Sequence, residues 1–443
     1  MKKITNEEVK NRAMDYSLFT WSVQNKLKTI AIKNGKGCYF WDYEGKKYFD
    51  LCSQLICVNI GHGNEHVIDS ISKQLQEMEY VKPKFTTRVR GDAAELIIKR
   101  FAPSNMGKVL FSLGGAESNE YAIKLAKEFT GKTKIFSQYN SYHGSTYGAA
   151  NLTGEVDRSS AEPQIAGFIH YFGPNDEFPE LKFDNESDKT EFYLDLLERQ
   201  IVYENPKKIA ALFLEPISGG NGIIVPPKGY IKGVYEICKK YDILFIVDEV
   251  LTGFGRTGET FAINHFDIEP DMITFAKGIT SAYVPLGGVI LSRKISEYFN
   301  ENGVPIGCTY NSHPISMAAA KANLEVILEN RLIENCNVMG EYLAQKLELL
   351  VKNHISVHER RGLGLLQGVK MNERLCNRKA LNVLFKRFVE LGYPTNGNQG
   401  IVVFAPPLIV TKKEIDEICE TSNIVFTEMD TMLINLKNDA DGR

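Results

Sequence analysis

Ile243-Leu244-Phe245-Ile246-Val247 is a run of five apolar residues, and Asp248 follows it directly. A strand with one wet face would alternate polar and apolar residues. This run does not, which predicts a strand buried on both faces. The same character recurs in Val109-Leu110-Phe111, Ile209-Ala210-Ala211-Leu212-Phe213-Leu214, Met272-Ile273-Thr274-Phe275-Ala276 and Gly288-Val289-Ile290-Leu291. Amphipathic stretches, Ala116 to Phe129 and Gly229 to Tyr241, lie between these runs. Doubly buried strands alternating with helices predict an α/β fold with a mostly parallel central sheet wrapped by helices. Ligands of such sheets sit at the carboxyl ends of the strands. Polar residues directly after each run therefore carry the functional reading.

The rest of the 443 residues sets bounds. A 43% hydrophobic and 24% charged composition excludes a disordered or low-complexity chain. With 52 basic against 55 acidic residues the net charge is −3, so no basic field for nucleic acid or an anionic membrane is expected. Eight cysteines, none in a C-x-x-C pair, read as reduced thiols of a cytoplasmic protein. No Cys/His cluster has zinc-ligand spacing, so no metal is expected. The first residues lack the apolar core of a signal peptide, and no apolar run approaches the ~18 residues of a membrane span. Residues 38–51 read as a hairpin turning at Asp42-Tyr43-Glu44-Gly45. A helix is predicted from Ile315 to Asn330, strands near Leu366–Val369 and Ile401–Phe404, and a frayed tail from Asn435 to Arg443.

Three polar residues stand directly after buried runs: Glu215, Asp248 and Lys277. A buried carboxylate or ammonium is costly unless paired or used. A structural ion pair is the plain alternative for each taken singly. Leu113-Gly114-Gly115-Ala116-Glu117-Ser118-Asn119-Glu120, between a strand and a helix, adds a second feature. Small residues there let backbone N–H groups approach an anion at the helix N-terminus. The stretch matches neither G-x-G-x-x-G nor G-x-x-x-x-G-K, which argues against a dinucleotide or ATP held in those ways. A lysine, an acid and a phosphate cradle together suit pyridoxal phosphate. The lysine forms the Schiff base, and the acid keeps the pyridine nitrogen protonated. Tyr142-His143-Gly144, after Ile135-Phe136-Ser137, offers an aromatic face for the ring.

From Phe19 to Leu408 the chain resembles the class III (ω) aminotransferases, of the type I pyridoxal-phosphate fold. The most specific stretch is Asp248-Glu249-Val250-Leu251-Thr252-Gly253-Phe254-Gly255-Arg256-Thr257-Gly258, followed by Asp271-Met272-Ile273-Thr274-Phe275-Ala276-Lys277-Gly278. Leu214-Glu215-Pro216-Ile217 and Cys308-Thr309-Tyr310-Asn311-Ser312-His313-Pro314 match further family blocks. The resemblance implies Lys277 as Schiff-base lysine and proton shuttle, and Asp248 as partner of the pyridine nitrogen. It implies Val250 and Tyr142 on the two ring faces, and Gly115 and Ala116 on the phosphate. Glu215 would lie near the phenolic oxygen or support the surroundings of Asp248. Thr309 would reach the phosphate of a neighbouring subunit, because family sites lie at a homodimer interface. His143 and Arg256 would be structural supports. The fold implied is a large domain over residues 61–320, with residues 1–60 and 321–443 forming a smaller α+β domain from both chain ends.

The chain departs from the family pattern at three positions. Gly114 stands where the phosphate loop commonly has serine. Gly220 stands where ornithine-type members carry a glutamate, and Val403 where they carry its arginine partner. Phe19-Thr20-Trp21-Ser22 is similar to the taurine aminotransferases of this family, in which a tryptophan here and an arginine after a Thr-Gly block line the sulfonate pocket. The resemblance implies that Arg158, after Thr153-Gly154, would take that part here, a solvated loop residue being the plain alternative. A guanidinium with an indole N–H suits a tetrahedral anion. The expected reaction is ping-pong transfer of the amino group of taurine or a similar ω-amino acid to a 2-oxo acid, 2-oxoglutarate before pyruvate. The alternatives are a pyruvate-dependent β-alanine- or 4-aminobutyrate-type aminotransferase, and a non-catalytic binding or regulatory protein of the same fold.

Overall fold

The computed structural model describes residues 4–174, 178, 180–373, 375–397 and 400–441. Near the N-terminus β1 (Ile32–Lys36), β2 (Tyr39–Asp42) and β3 (Lys47–Phe49) form an antiparallel sheet. The expected hairpin is β2–β3. Its turn is closed by Asp42, whose Oδ1 accepts the N–H groups of Glu44 and Lys46, both at 2.9 Å. β1 was not anticipated. Its sequence, Ile-Lys-Asn-Gly-Lys, is mostly exposed and carries no apolar pattern.

The central sheet contains β4 (Met106–Ser112), β5 (Lys134–Gln138), β6 (Phe168–Tyr171), β7 (Ile209–Leu214), β8 (Leu244–Asp248), β9 (Met272–Phe275) and β10 (Gly287–Ser292). Its order is β4-β10-β9-β8-β7-β5-β6. β10 runs antiparallel to both neighbours, and the other pairings are parallel. Every residue of β7, β8, β9 and β10 is buried, which is why those runs do not alternate. The short edge strand β6 was missed. Phe-Ile-His-Tyr has a histidine in its middle and no neighbour beyond it.

The helix Gly115–Thr130 buries Asn119, Ile123, Leu125 and Ala126 against this sheet and stops at left-handed Gly131, φ +64°. Ile123 and Leu125 each gain about 1.5–3 kcal/mol from burial, which fixes the rotation of the helix and so the direction of Asn119. β11 (Val357–Leu363), β12 (Leu366–Met371) and β13 (Ile401–Phe404) form a second antiparallel sheet. The two chain ends meet through backbone bonds from Phe49 N to Gly392 O, Ala405 N to Leu51 O and Leu408 N to Asn59 O. The last helix, Lys412–Asp441, continues through the segment expected to fray, and residues 442 and 443 lie outside the described residues. Among the described residues no helix is long and apolar enough to cross a membrane.

Candidate active site

Neighbouring strands β7, β8 and β9 end on the same edge of the sheet. Leu214 pairs with Val247, and Asp248 with Thr274. Glu215, Asp248 and Lys277 therefore emerge side by side, although 62 residues separate the first from the last. They open into a cavity of 460 Å³ whose wall also includes Gly114, Gly115, Ala116, Asn119, Tyr142, His143 and Val250. This is the strand-end crevice expected of an open α/β sheet.

Asp248 is buried and its carboxylate is held at both oxygens. Oδ2 accepts from Asn119 Nδ2 at 2.8 Å and from His143 Nδ1 at 2.6 Å, and Oδ1 accepts the Val250 N–H at 3.0 Å. Burial disfavours the imidazolium of His143. The hydrogen bond and charge of Asp248 outweigh that, and the His143 pKa is raised. Glu215 accepts the N–H groups of Tyr142 at 2.9 Å and Gly219 at 3.1 Å. Burial still lifts its pKa to about 7, with the nearby Asp248 charge acting in the same direction. Lys277 shifts the other way. Burial lowers its pKa, against the pull of Cys57, Asp248 and Glu215, so a neutral amine is easier to reach there than in water. Its backbone is left-handed, φ +44°.

The groups present fit a phosphorylated pyridine aldehyde. The helix starting at Gly115 has no side-chain cap at Gly114, so its first N–H groups are left for an anion. A Cβ added at Gly115 would lie 2.7 Å from Val250 Cγ1, so the backbone approaches here as only glycine allows. Asp248 offers the acid, Lys277 the amine, and Val250 and Tyr142 the walls.

Of the residues singled out in the sequence, Gly115, Ala116, Tyr142, Glu215, Asp248, Val250 and Lys277 line this one cavity. Gly114, His143 and Gly220 line it too, whereas Phe19, Trp21, Arg158 and Thr309 lie outside that lining. Trp21 is 70% exposed, with its ring edge-on to Tyr142 at 6.4 Å between centroids. Phe19 is half-buried, and its backbone is bound by the Gln24 side chain. Arg158 lies 5.2 Å over the Tyr139 ring, and its Nη1 donates to the carbonyls of Gly154 and Glu155. Thr309 is exposed, its carbonyl accepting from Tyr80. Sequence reasoning missed Asn119. It sits one helical turn beyond Gly115 in the glycine stretch, and that spacing was the available signal.

A family model described as Aminotransferase class-III matches residues 20–425. The chain is a class III aminotransferase. The cofactor of this aminotransferase is pyridoxal phosphate. Its structure is similar to the taurine:2-oxoglutarate aminotransferase of Bifidobacterium kashiwanohense, solved with pyridoxal phosphate and glutamate. The TM-score is 0.94 at 37% identity, covering 98% of this chain and 100% of that one. It is 31% identical to a putrescine–pyruvate aminotransferase of Pseudomonas aeruginosa, over 89% of this chain and 90% of that one. It is 30% identical to a taurine–pyruvate aminotransferase of Bilophila wadsworthia, over 92% and 94%.

Proposed function

We propose that this aminotransferase moves the amino group of taurine, or a similarly short ω-amine with an anionic end, to 2-oxoglutarate. The observation that carries the reading is Trp21 set edge-on against Tyr142, a residue of the cavity wall. In this reading the indole N–H would serve the far end of an amine whose nitrogen reaches Lys277. The similarity to a taurine:2-oxoglutarate aminotransferase supports it.

Pyridoxal phosphate, when bound, supplies an electron-withdrawing ring and carries the amino group between the two substrates. The remaining tasks fall to this chain. Lys277 Nζ, with its lowered pKa, takes the proton from the substrate carbon and returns it. Asp248, its carboxylate oriented by three donors, would hold a proton on the ring nitrogen. The N–H groups of Gly115 and Ala116 would bind phosphate, and Tyr142 and Val250 would wall the ring. Glu215 stands by the phenolic oxygen. Exposed Thr309 serves the phosphate of a second subunit in a homodimer, with residues 61–320 as the cofactor-binding domain. Arg158 would provide the distal cation; its Nε has no hydrogen-bond partner among the described residues.

A second reading has its own support. The basic groups on the cavity wall are Lys277 and His143 alone among the described residues, which suits a distal end that is uncharged or cationic. A diamine with pyruvate as acceptor fits that, as the P. aeruginosa relative's name suggests. Stopped-flow mixing of the holoenzyme with taurine, β-alanine, 4-aminobutyrate, alanine and putrescine, following cofactor absorbance, separates the two. Taurine is expected to react fastest, and Arg158→Ala to slow taurine at least ~10-fold more than alanine, about 1.4 kcal/mol. Faster reaction with putrescine, or equal losses on both amines, would overturn the sulfonate pocket.

A further inference from the structure

Three non-glycine residues within six positions are left-handed at the lysine turn: Lys277 at φ +44°, Ser281 at +49° and Ala282 at +63°. Such backbone persists only where its surroundings over-determine it, and it gathers at functional sites. The grip comes from Asn323, far along the chain on the helix Pro314–Glu329 and fully buried. Its Nδ2 donates to Gly278 O and to Ile279 O, both at 2.9 Å. Its Oδ1 accepts from Ser281 Oγ at 2.6 Å. Ser281 Oγ in turn accepts the Ile60 N–H at 3.1 Å. The amide therefore directs all its contacts to the four residues that follow Lys277. The opposite side of the turn is closed too: a Cβ at Gly278 would lie 2.6 Å from Asn59 Nδ2.

We propose that Asn323, relayed by Ser281, is a positioning residue for Lys277. It fixes the turn that aims the lysine amine at the reacting carbon, and the proposal rests on the reading of Lys277 given above. The chemistry of the amide explains the residue type. Leucine would take the Asn323 donor from Ile279 O and one donor from Gly278 O, which keeps the Ser281 N–H at 3.4 Å, and aspartate would set a carboxylate against both carbonyls. Neither would hold a left-handed turn. A shifted turn changes the distance of Lys277 Nζ from Cys57, Asp248 and Glu215, the groups that bear on its charge.

The test uses the holoenzyme with Asn323→Leu, Ser281→Ala and Lys277→Ala. Expected for Asn323→Leu is a kcat lower by ~10–100-fold, the scale of a reacting group misplaced by about 1 Å, with a smaller change in amine KM. The pH midpoint of the cofactor's visible absorbance should move, and so should the pH profile of cofactor uptake by the cofactor-free protein. Ser281→Ala should move both midpoints the same way by less. A lower thermal midpoint with unmoved pH midpoints and kcat would mean a purely structural role and overturn the proposal. If Asn323→Leu does not fold, unmoved midpoints in Ser281→Ala overturn it equally. A visible band and turnover that survive Lys277→Ala would sink the lysine assignment first, and this proposal with it. A band lost there but unmoved in the other two would sink this proposal alone.

Discussion

Gly115 shows how little slack the cavity wall has. A methyl group there would lie 2.7 and 2.9 Å from the two γ carbons of Val250, whose branched side chain has one favoured rotamer and little freedom to retreat. Overpacking of this kind costs about 1–3 kcal/mol. Gly115→Ala should push Val250 into the ring site and weaken pyridoxal phosphate binding by ~10-fold or more, since 1.4 kcal/mol is a factor of ten. Titration of the cofactor-free variant by absorbance measures this directly. Undiminished affinity would mean that Val250 does not wall the ring. Asp248 is constrained in another way. With Asn119, His143 and the Val250 N–H all donating to it, its orientation is set before any ligand arrives.

At the scale of the element, the segment joining β8 to β9 is organised by Glu249. This carboxylate is fully buried and accepts from Thr252 Oγ1 at 2.5 Å, the Ala262 N–H at 3.0 Å and the Ile263 N–H at 2.7 Å. Burial pushes its pKa up to about 7 in spite of those donors. Because the folded value lies above the ordinary 4.5, the folded chain holds this proton more tightly. Its contribution to stability is complete below pH 4.5 and is lost as pH rises towards 7. Glu215, also raised to about 7, acts with the same sign. Thermal midpoints of the cofactor-free protein should therefore fall across that window. Glu249→Gln should flatten part of the fall and be less stable at low pH, because an amide cannot accept all three bonds. An unchanged slope would show that Glu249 ionises normally.

At the scale of the whole molecule, Arg256 ties the chain ends to the central sheet. It is fully buried and, among the described residues, has no carboxylate among its hydrogen-bond partners. It donates to Ser53 Oγ at 3.1 Å, Asn59 Oδ1 at 2.9 Å, Leu365 O at 3.0 Å and Pro406 O at 2.6 Å. Burial lowers its pKa to about 10, against the pull of nearby thiols and Asp50. Ser53, one of those partners, is itself left-handed at φ +45° and opens the stretch leading to Cys57 on the cavity wall. Arg256→Met would leave several buried acceptors unmatched, at about 1–3 kcal/mol each. The thermal midpoint should drop by several degrees, and protease should cut the N-terminal segment before the central sheet. Simultaneous loss of both parts would mean that Arg256 does not join separable units.

Strands β7 to β10 were legible because they are buried on both faces, and burial of that kind is written as unbroken apolar residues. Glu215, Asp248 and Lys277 were legible for the same reason, as charges placed where such runs stop. β1 and β6 were not, because an exposed strand and a short edge strand owe their state to a neighbour rather than to their own composition. Nor could the chain order reveal that Asn119 and His143 converge on one carboxylate, or that Asn323 reaches back to the lysine turn. Those contacts depend on strand register and helix rotation. The positions of Trp21 and Arg158 were equally out of reach, since loops are aimed by what they pack against. Local burial and covalent order therefore determined which residues bear the chemistry. Long-range packing decided which of them meet, because hydrogen bonds between distant segments form only after the sheet has set their distance.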